Sequence, residues 1–398
     1  MPNSIVNILQ ERAQSQPDKR LYTFLQNGAD ESATLTFGEM EERVRALAAR
    51  LQQQYAPGER ALLLYPDSLE YIIAFHACLF AGLVAVPAFP PRRNRSDTRL
   101  QAIAKNANAS VALIPQSMCD DLPQRLEHNP ELARMQFLVT DAGLDTHANQ
   151  WRPIDPKLDT LAYLQYTSGS TGDAKGAMIT HGNIMNNSEA VRIIKDLWGE
   201  DTTAVSWLPI FHDLGLVFVI LQAVYSAVST ALMPSNVFVQ KPIRWLQAIS
   251  RYQATHSGGP DFSYQLCCQK VSEEELETLD LSSWKDAYSG AESVRVTTLR
   301  SFSDYFSRCG FNPRSFSPGY GIAENTLLVS YNTGHQPRYC GVDARHFSLH
   351  GEVGEDVFVT DELDQVTGDA MESHRQYIVS CGTIAHGVEQ LLMVWNRE

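Results

Sequence analysis

The stretch Leu161–Gly176, LAYLQYTSGSTGDAKG, decides how the chain is read. Leu161 to Tyr166 reads as a strand leading in, and Ala177 to Ile179 as a strand leading out, with Thr180 to Asn183 opening a helix. Between the strands, Gly169 and Gly172 let the backbone take positive φ and approach an anion closely. Thr167, Ser168, Ser170 and Thr171 add hydroxyl donors, and Lys175 adds a positive charge. In chemical terms this is a cradle for a polyphosphate. It is not a Walker A loop, because Ala174 precedes Lys175 and Gly176 follows it, so the GK[ST] end is missing. An ordinary polar turn would not need four hydroxyl residues, two glycines and a lysine within nine positions.

Outward from this loop the pattern is mixed α/β. Leu35 to Phe37 reads as a short strand. Gly38 to Gln54 follows as a helix, with Met40, Val44, Leu47, Ala48 and Leu51 on one face. Arg60 to Tyr65 and Val84 to Pro87 are buried-strand candidates on either side of an apolar helix, Leu69 to Ala81. That alternation predicts a sheet covered by helices on both faces. Asn94 to Ala109 is expected to be a helix, and Val111 to Ile114 and Gln136 to Thr140 strands. A further βα series runs from Leu161 to about Ser330. After Gly334 the rhythm breaks, and Gly351 to Met371 is acidic.

With 398 residues, the chain is too long for one ordinary core, so two or more subdomains are expected. Lys and Arg number 32 against 46 Asp and Glu, a net charge of −14, which argues against nucleic acid as partner. The basic cluster Arg92, Arg93 and Arg95 reads as a surface feature. The seven cysteines include no CxxC pair, so they read as free thiols in a reducing cytoplasm. No stretch resembles a signal peptide or a membrane span, so no stable membrane anchor is expected.

The loop resembles the phosphate-binding signature of the adenylate-forming superfamily, with Ala174 where proline is usual. Other blocks follow in the family's order. Trp207–Leu216 (WLPIFHDLGL) is similar to the acyl-pocket motif, and Ser257–Cys267 (SGGPDFSYQLC) to the helix entrance bordering acid and adenine. Ser289–Arg295 (SGAESVR) resembles the adenine-side loop. Pro318–Ser330 (PGYGIAENTLLVS) resembles the block carrying an adenine-stacking Tyr and a Mg²⁺-binding Glu. Ala85–Arg93 (AVPAFPPRR), LQYTSGSTG, HDLGL, Arg244–Tyr252 (RWLQAISRY) and GIAENTLLVS resemble the fatty acyl-AMP ligase branch. The resemblance covers nearly the whole chain.

The resemblance implies an α/β fold: two βα-layered subdomains in residues 1–334 and the start of a third, β subdomain in 380–398. Residues 335–379 would be a branch-specific insertion that hinders use of coenzyme A. ATP would contact Thr167 to Gly172, Lys175, Gly290, Ala291 and Glu292. It would also contact Gly319, Tyr320, Gly321 and Ala323. Tyr320 offers a flat ring for adenine, with Gly319 and Gly321 allowing close backbone approach. Glu324 would hold Mg²⁺, and Lys175 and His212 would act in the reaction. The fatty acid would meet Ile210, Phe211, His212, Val217 and Phe238, with Gly258, Gly259 and Phe262 beside them; Val219 is a further tunnel candidate. Asp213 reads as structural. An amino-acid-activating relative would need it to bind an ammonium group.

The implied activity is ATP-dependent formation of an acyl adenylate, followed by transfer to the phosphopantetheine of an acyl carrier protein. An acyl-CoA ligase, an amino-acid adenylation domain and a non-catalytic nucleotide or acyl-adenylate binder are the alternatives. Thr367-Gly368-Asp369 imitates the family's ribose-binding motif but precedes the strands that should come before it. The family's ribose block and mobile C-terminal domain, with its lysine, are expected after Glu398. A fragment without them would turn over poorly.

Overall fold

The computed structural model describes residues 3–142, 147–166, 174–195, 202–332, 337–343, 358–360, 363 and 375–385. Two sheets dominate. One runs, in spatial order, Gln136–Val139, Val111–Ile114, Arg60–Leu64, Val84–Ala88, Leu161–Tyr166 and Gly176–Thr180. Its pairings are parallel except the last, where Leu161–Tyr166 and Gly176–Thr180 are antiparallel. The other begins at Thr383–Ile384, Leu328–Tyr331 and Phe316–Gly321, continues through Asp286–Ser289, His256–Gly259 and Thr203–Ser206, and ends at Ser229–Leu232, Arg20–Leu25 and Glu31–Thr36. Its centre is parallel and both flanks are antiparallel.

The first sheet is buried on both faces, as the alternation in its strands requires. Ala61, Leu63, Val111 and Leu113 enter the main core shared with helices Phe37–Gln54 and Leu69–Ala81. Leu62, Leu64, Val86 and Ala112 point the other way, into a separate core with Leu100 and Ile103 of helix Thr98–Ala107. The helix Leu69–Ala81, apolar apart from Glu70 and His76, is accordingly buried along its length except at Glu70.

Helix starts follow capping chemistry rather than apolar periodicity. Thr36 and Glu39 form a reciprocal capping box, so the expected strand at Leu35 to Phe37 stops at Thr36 and Phe37 is already helical. Asp97 accepts from Leu100 N at 2.9 Å, so the helix expected from Asn94 begins at Thr98. A short antiparallel sheet, Phe358–Thr360, Tyr339–Asp343 and Arg375–Val379, lies within the stretch that breaks the βα rhythm. Arg300 of helix Val296–Phe306 donates to the carbonyl of Leu363 at 2.8 Å, which ties that stretch to the main body. Among the described residues no helix is long and apolar enough to cross a membrane.

Candidate active site

A cavity of about 490 Å³ opens where parallel strands of the two sheets end. Ala88, Tyr166, Ser289 and Gly321 are the last residues of four strands and all line it. Carboxyl ends of parallel strands are where open α/β sheets bind ligands, because the loops leaving them diverge around a crevice.

One wall is polypeptide backbone. Ser289, Gly290 and Ala291 lie beside Gly319 to Glu324 in it, close enough that a Cβ at residue 290 would fall 2.8 Å from the Gly319 carbonyl oxygen. Tyr320 is half-buried between Gly319 and Gly321, in a strand paired antiparallel with Leu328–Tyr331. A Cβ at residue 319 would lie 2.8 Å from the Tyr331 ring, so the close approach glycine permits here is made by the protein's own side chain. Sequence reasoning assigned that approach to a ligand. Glu324 is exposed on the turn Ala323–Asn325 at the rim. That turn is held from behind: Asn187 of helix His181–Lys195 donates its amide to the carbonyl of Asn325 at 3.5 Å. The helix continues the strand Gly176–Thr180, which packs on the same turn.

The facing wall is aromatic. Phe89 and Phe211 stand 6.2 Å apart between ring centres, and Phe218 meets Tyr288 edge-on at 4.7 Å. Gln165 bridges the sheets by donating to the carbonyl of Phe211 at 3.2 Å. Phe218 sits on a π-helical turn, Leu216–Leu221, which begins right after His212, Asp213 and Leu214 of the apolar motif. Such turns are rare and occur where a side chain must be re-aimed.

Between the two walls stand the polar groups His212, Asp213 and Arg99. His212 is exposed, and its Nδ1 lies 2.7 Å from Asp213 Oδ1, to which it donates when that nitrogen carries the proton; Leu214 N reaches the same Nδ1 at 3.3 Å. Asp213 Oδ1 also accepts from Leu214 N at 2.7 Å. The hydrogen bond to Asp213 raises the His212 pKa above its ordinary value, against smaller opposing effects of burial and Arg99. Asp213 thus orients His212 and favours its protonated form, a structural role made specific. Arg99 sits among these groups without having been expected.

The remaining expected residues divide. Phe211, His212, Gly290, Ala291, Gly319, Tyr320, Gly321, Ala323 and Glu324 line the cavity. Glu292 instead accepts from Phe262 N at 2.7 Å, capping helix Asp261–Lys270. Ile210 and Val217 are buried beside the cavity wall. Phe238 is stacked on Trp207 at 4.0 Å with no exposure, inside a cluster that includes Trp245. Phe262 is partly exposed and meets Trp207 edge-on. Gly258 lies directly against Tyr288, where a Cβ would fall 2.1 Å from its carbonyl oxygen, and Gly259 lies against Trp207. Lys175 is exposed at the start of the strand leading out. Thr167, Ser168, Gly169, Ser170, Thr171 and Gly172 lie outside the described residues, as does Thr367-Gly368-Asp369.

Asp261, which had no assigned role, is fully buried. It accepts from Arg295 N at 2.8 Å and Thr298 Oγ1 at 2.8 Å, and pairs with Arg295 Nε at 3.1 Å. This pins the loop carrying Gly290 and Ala291. The signal was an Asp right after Pro260 at a helix start, where a carboxylate is favoured.

The chain's sequence and fold are similar to those of known proteins. The chain is 40% identical over 393 residues to the medium-chain-fatty-acid–[acyl-carrier-protein] ligase JamA of Moorena producens, covering 97% of this chain and 64% of that one. It is 35% identical over 352 residues to the long-chain-fatty-acid–AMP ligase FadD32 of Mycolicibacterium smegmatis, covering 86% and 55%. The chain therefore spans less than two thirds of these relatives' length. The fold superposes on the crystal structure of the fatty acyl-adenylate ligase from L. pneumophila in complex with acyl adenylate and pyrophosphate. The TM-score is 0.84 at 32% identity, over 96% of this chain and 64% of that one. Residues 9–354 match the AMP-binding enzymes, and the chain belongs to that family.

Proposed function

We propose that the protein activates a fatty acid with ATP, forming an acyl adenylate and releasing pyrophosphate, for transfer to the phosphopantetheine thiol of an acyl carrier protein. The observation that carries this reading is the two-sided cavity: a backbone wall with one half-buried tyrosine, facing an aromatic wall. The first suits a nucleotide and the second an alkyl chain.

In the reaction an oxygen of the carboxylate attacks the α-phosphorus, and the bond to pyrophosphate breaks in line. Both reactants are anions, so the work lies in alignment and charge neutralisation. His212, oriented by Asp213, meets the carboxylate. Tyr320 takes the adenine, and Lys175 with the hydroxyls of Thr167 to Thr171 takes the phosphates. Glu324, an exposed hard-oxygen ligand at the rim, fits Mg²⁺ bound with phosphate oxygens and water, where the ion would neutralise phosphate charge. Phe211, Phe218 and Tyr288 exclude water along the chain.

Asp213 favours a plain acid over an amino acid, because its Oδ1 already serves His212 and Leu214. ATP–pyrophosphate exchange tests the reading: it should depend on added fatty acid. Exchange driven by amino acids and not by fatty acids would overturn it.

A further inference from the structure

Behind the aromatic wall lies a second, separate void of about 30 Å³, between the π-helical turn and the sheet. It has room for about one water molecule. Phe218 and Tyr288 line both spaces, so these two rings form the partition between them. Both are largely buried, and the edge-on contact at 4.7 Å fixes Phe218 against a neighbour whose own hydroxyl end is held in the core. Tyr331 flanks Phe218 on the cavity side at 6.2 Å.

The far void is mostly apolar, with Val205 and Val219 in its lining, but Ser206, Gln222, Thr230 and His256 bring polar groups to it. Gln222 is buried, and its Nε2 donates to Ser188 O at 3.1 Å and Ser226 Oγ at 2.8 Å. Its Oε1 has no hydrogen-bond partner. A buried acceptor of this kind is costly unless something donates to it.

We infer that Phe218 ends the acyl pocket and thereby sets the longest chain the protein accepts, and that the void behind it is a latent extension able to take a chain end bearing a hydrogen-bond donor. The π-turn is what brings this side chain into the partition, since it holds Phe218 while Gln222 N–H reaches back to the carbonyl of Val217. This inference rests on the fatty-acid reading of the cavity.

The test is calorimetry with non-hydrolysable acyl sulfamoyl-adenosines of increasing chain length, on the unmodified protein and on Phe218→Ala. Each methylene newly buried tightens binding about fourfold. Chains two carbons beyond the unmodified protein's optimum should therefore bind Phe218→Ala at least tenfold tighter than they bind the unmodified protein. At that length an ω-hydroxy chain should bind the variant at least as tightly as the methyl-ended one. Phe218→Leu, which keeps more of the packing, should shift the optimum the same way and decides the matter if the alanine variant does not fold. An unchanged optimum in a folded variant overturns the partition and leaves the fatty-acid reading standing. A strong preference for the methyl end at the longer length shows that the chain end does not reach the polar groups of the far void and also overturns the inference. If the unmodified protein binds no member of the series, the fatty-acid reading fails and this inference with it.

Discussion

Asp213 holds His212 by a single short contact, Nδ1 to Oδ1 at 2.7 Å, at the mouth of the cavity. The partner raises the imidazole pKa above its ordinary 6.5. A raised folded-state pKa stabilises the protein fully below the unfolded value, and that contribution fades as pH climbs through the folded value. The His212–Asp213 contribution should thus be complete below about pH 6.5 and fade as pH rises from there through the raised folded value. Asp213→Asn should remove this pH-dependent component from denaturant titrations between pH 5.5 and about 8, and should shift the alkaline limb of acid binding downward. An identical pH profile in the variant would show that the pair does not titrate as described.

Glu324 lines the cavity from a rim turn, and Lys175 stands exposed just before the strand Gly176–Thr180. Replacing either by Ala should slow adenylate formation by about 10²–10³, the usual cost of losing one preorganised charge contact, about 2–4 kcal/mol. The Glu324 variant should in addition need more Mg²⁺ to reach half its maximal rate. ATP–pyrophosphate exchange across a Mg²⁺ series reads both effects, and unchanged rates would exclude these side chains from the site.

Phe238 was a candidate for the acyl chain, yet it is enclosed by Trp207 and Trp245. Phe238→Ala should destabilise the fold by about 3–5 kcal/mol through lost burial and a residual cavity. Chain-length preference should not move in whatever fraction remains folded. A shift in preference without loss of stability would return Phe238 to the acyl pocket.

The stretch around Tyr339–Val379 is anchored by Arg300 to the Leu363 carbonyl. If residues 335–379 hinder coenzyme A as acceptor, Arg300→Ala should loosen that anchor and raise acyl-CoA formation while leaving adenylate formation unchanged. Thioester formed with coenzyme A, measured against that formed with a carrier protein, gives the ratio. Efficient use of coenzyme A by the unmodified protein would contradict the hindrance.

Much of this architecture could be read from residues that act locally. The strands Leu161–Tyr166 and Val111–Ile114 and the helix Leu69–Ala81 announce themselves by apolar pattern and length. The backbone wall follows from a tyrosine set between glycines. Of the aromatic wall only Phe211 was legible; Phe89, Phe218 and Tyr288 come from three distant parts of the chain and meet only through sheet order. Nothing in the sequence separates Phe218, which lines the cavity, from Phe238, which fills the core. The π-turn was equally hidden, since apolar periodicity was sought at 3.6 residues and every residue from Leu216 to Leu221 is apolar. Arg99 lay in a helix whose periodicity marked only the opposite face.

The makeup of the cavity wall also bears on what happens after activation. A mixed anhydride of a carboxylic acid and a phosphate acylates any good nucleophile within reach. Among the described residues lining the cavity there is no cysteine and no lysine. The Cys78 and Cys267 thiols are buried elsewhere, and burial pushes their pKa values up, so they stay protonated and inert. His212, the one basic nitrogen nucleophile at the mouth, is biased towards the protonated form that cannot attack. The lining is thus chemically quiet. An activated acyl group held there would not be lost to self-modification of the described wall, so its lifetime would be set by leakage to water and by the arrival of an external thiol.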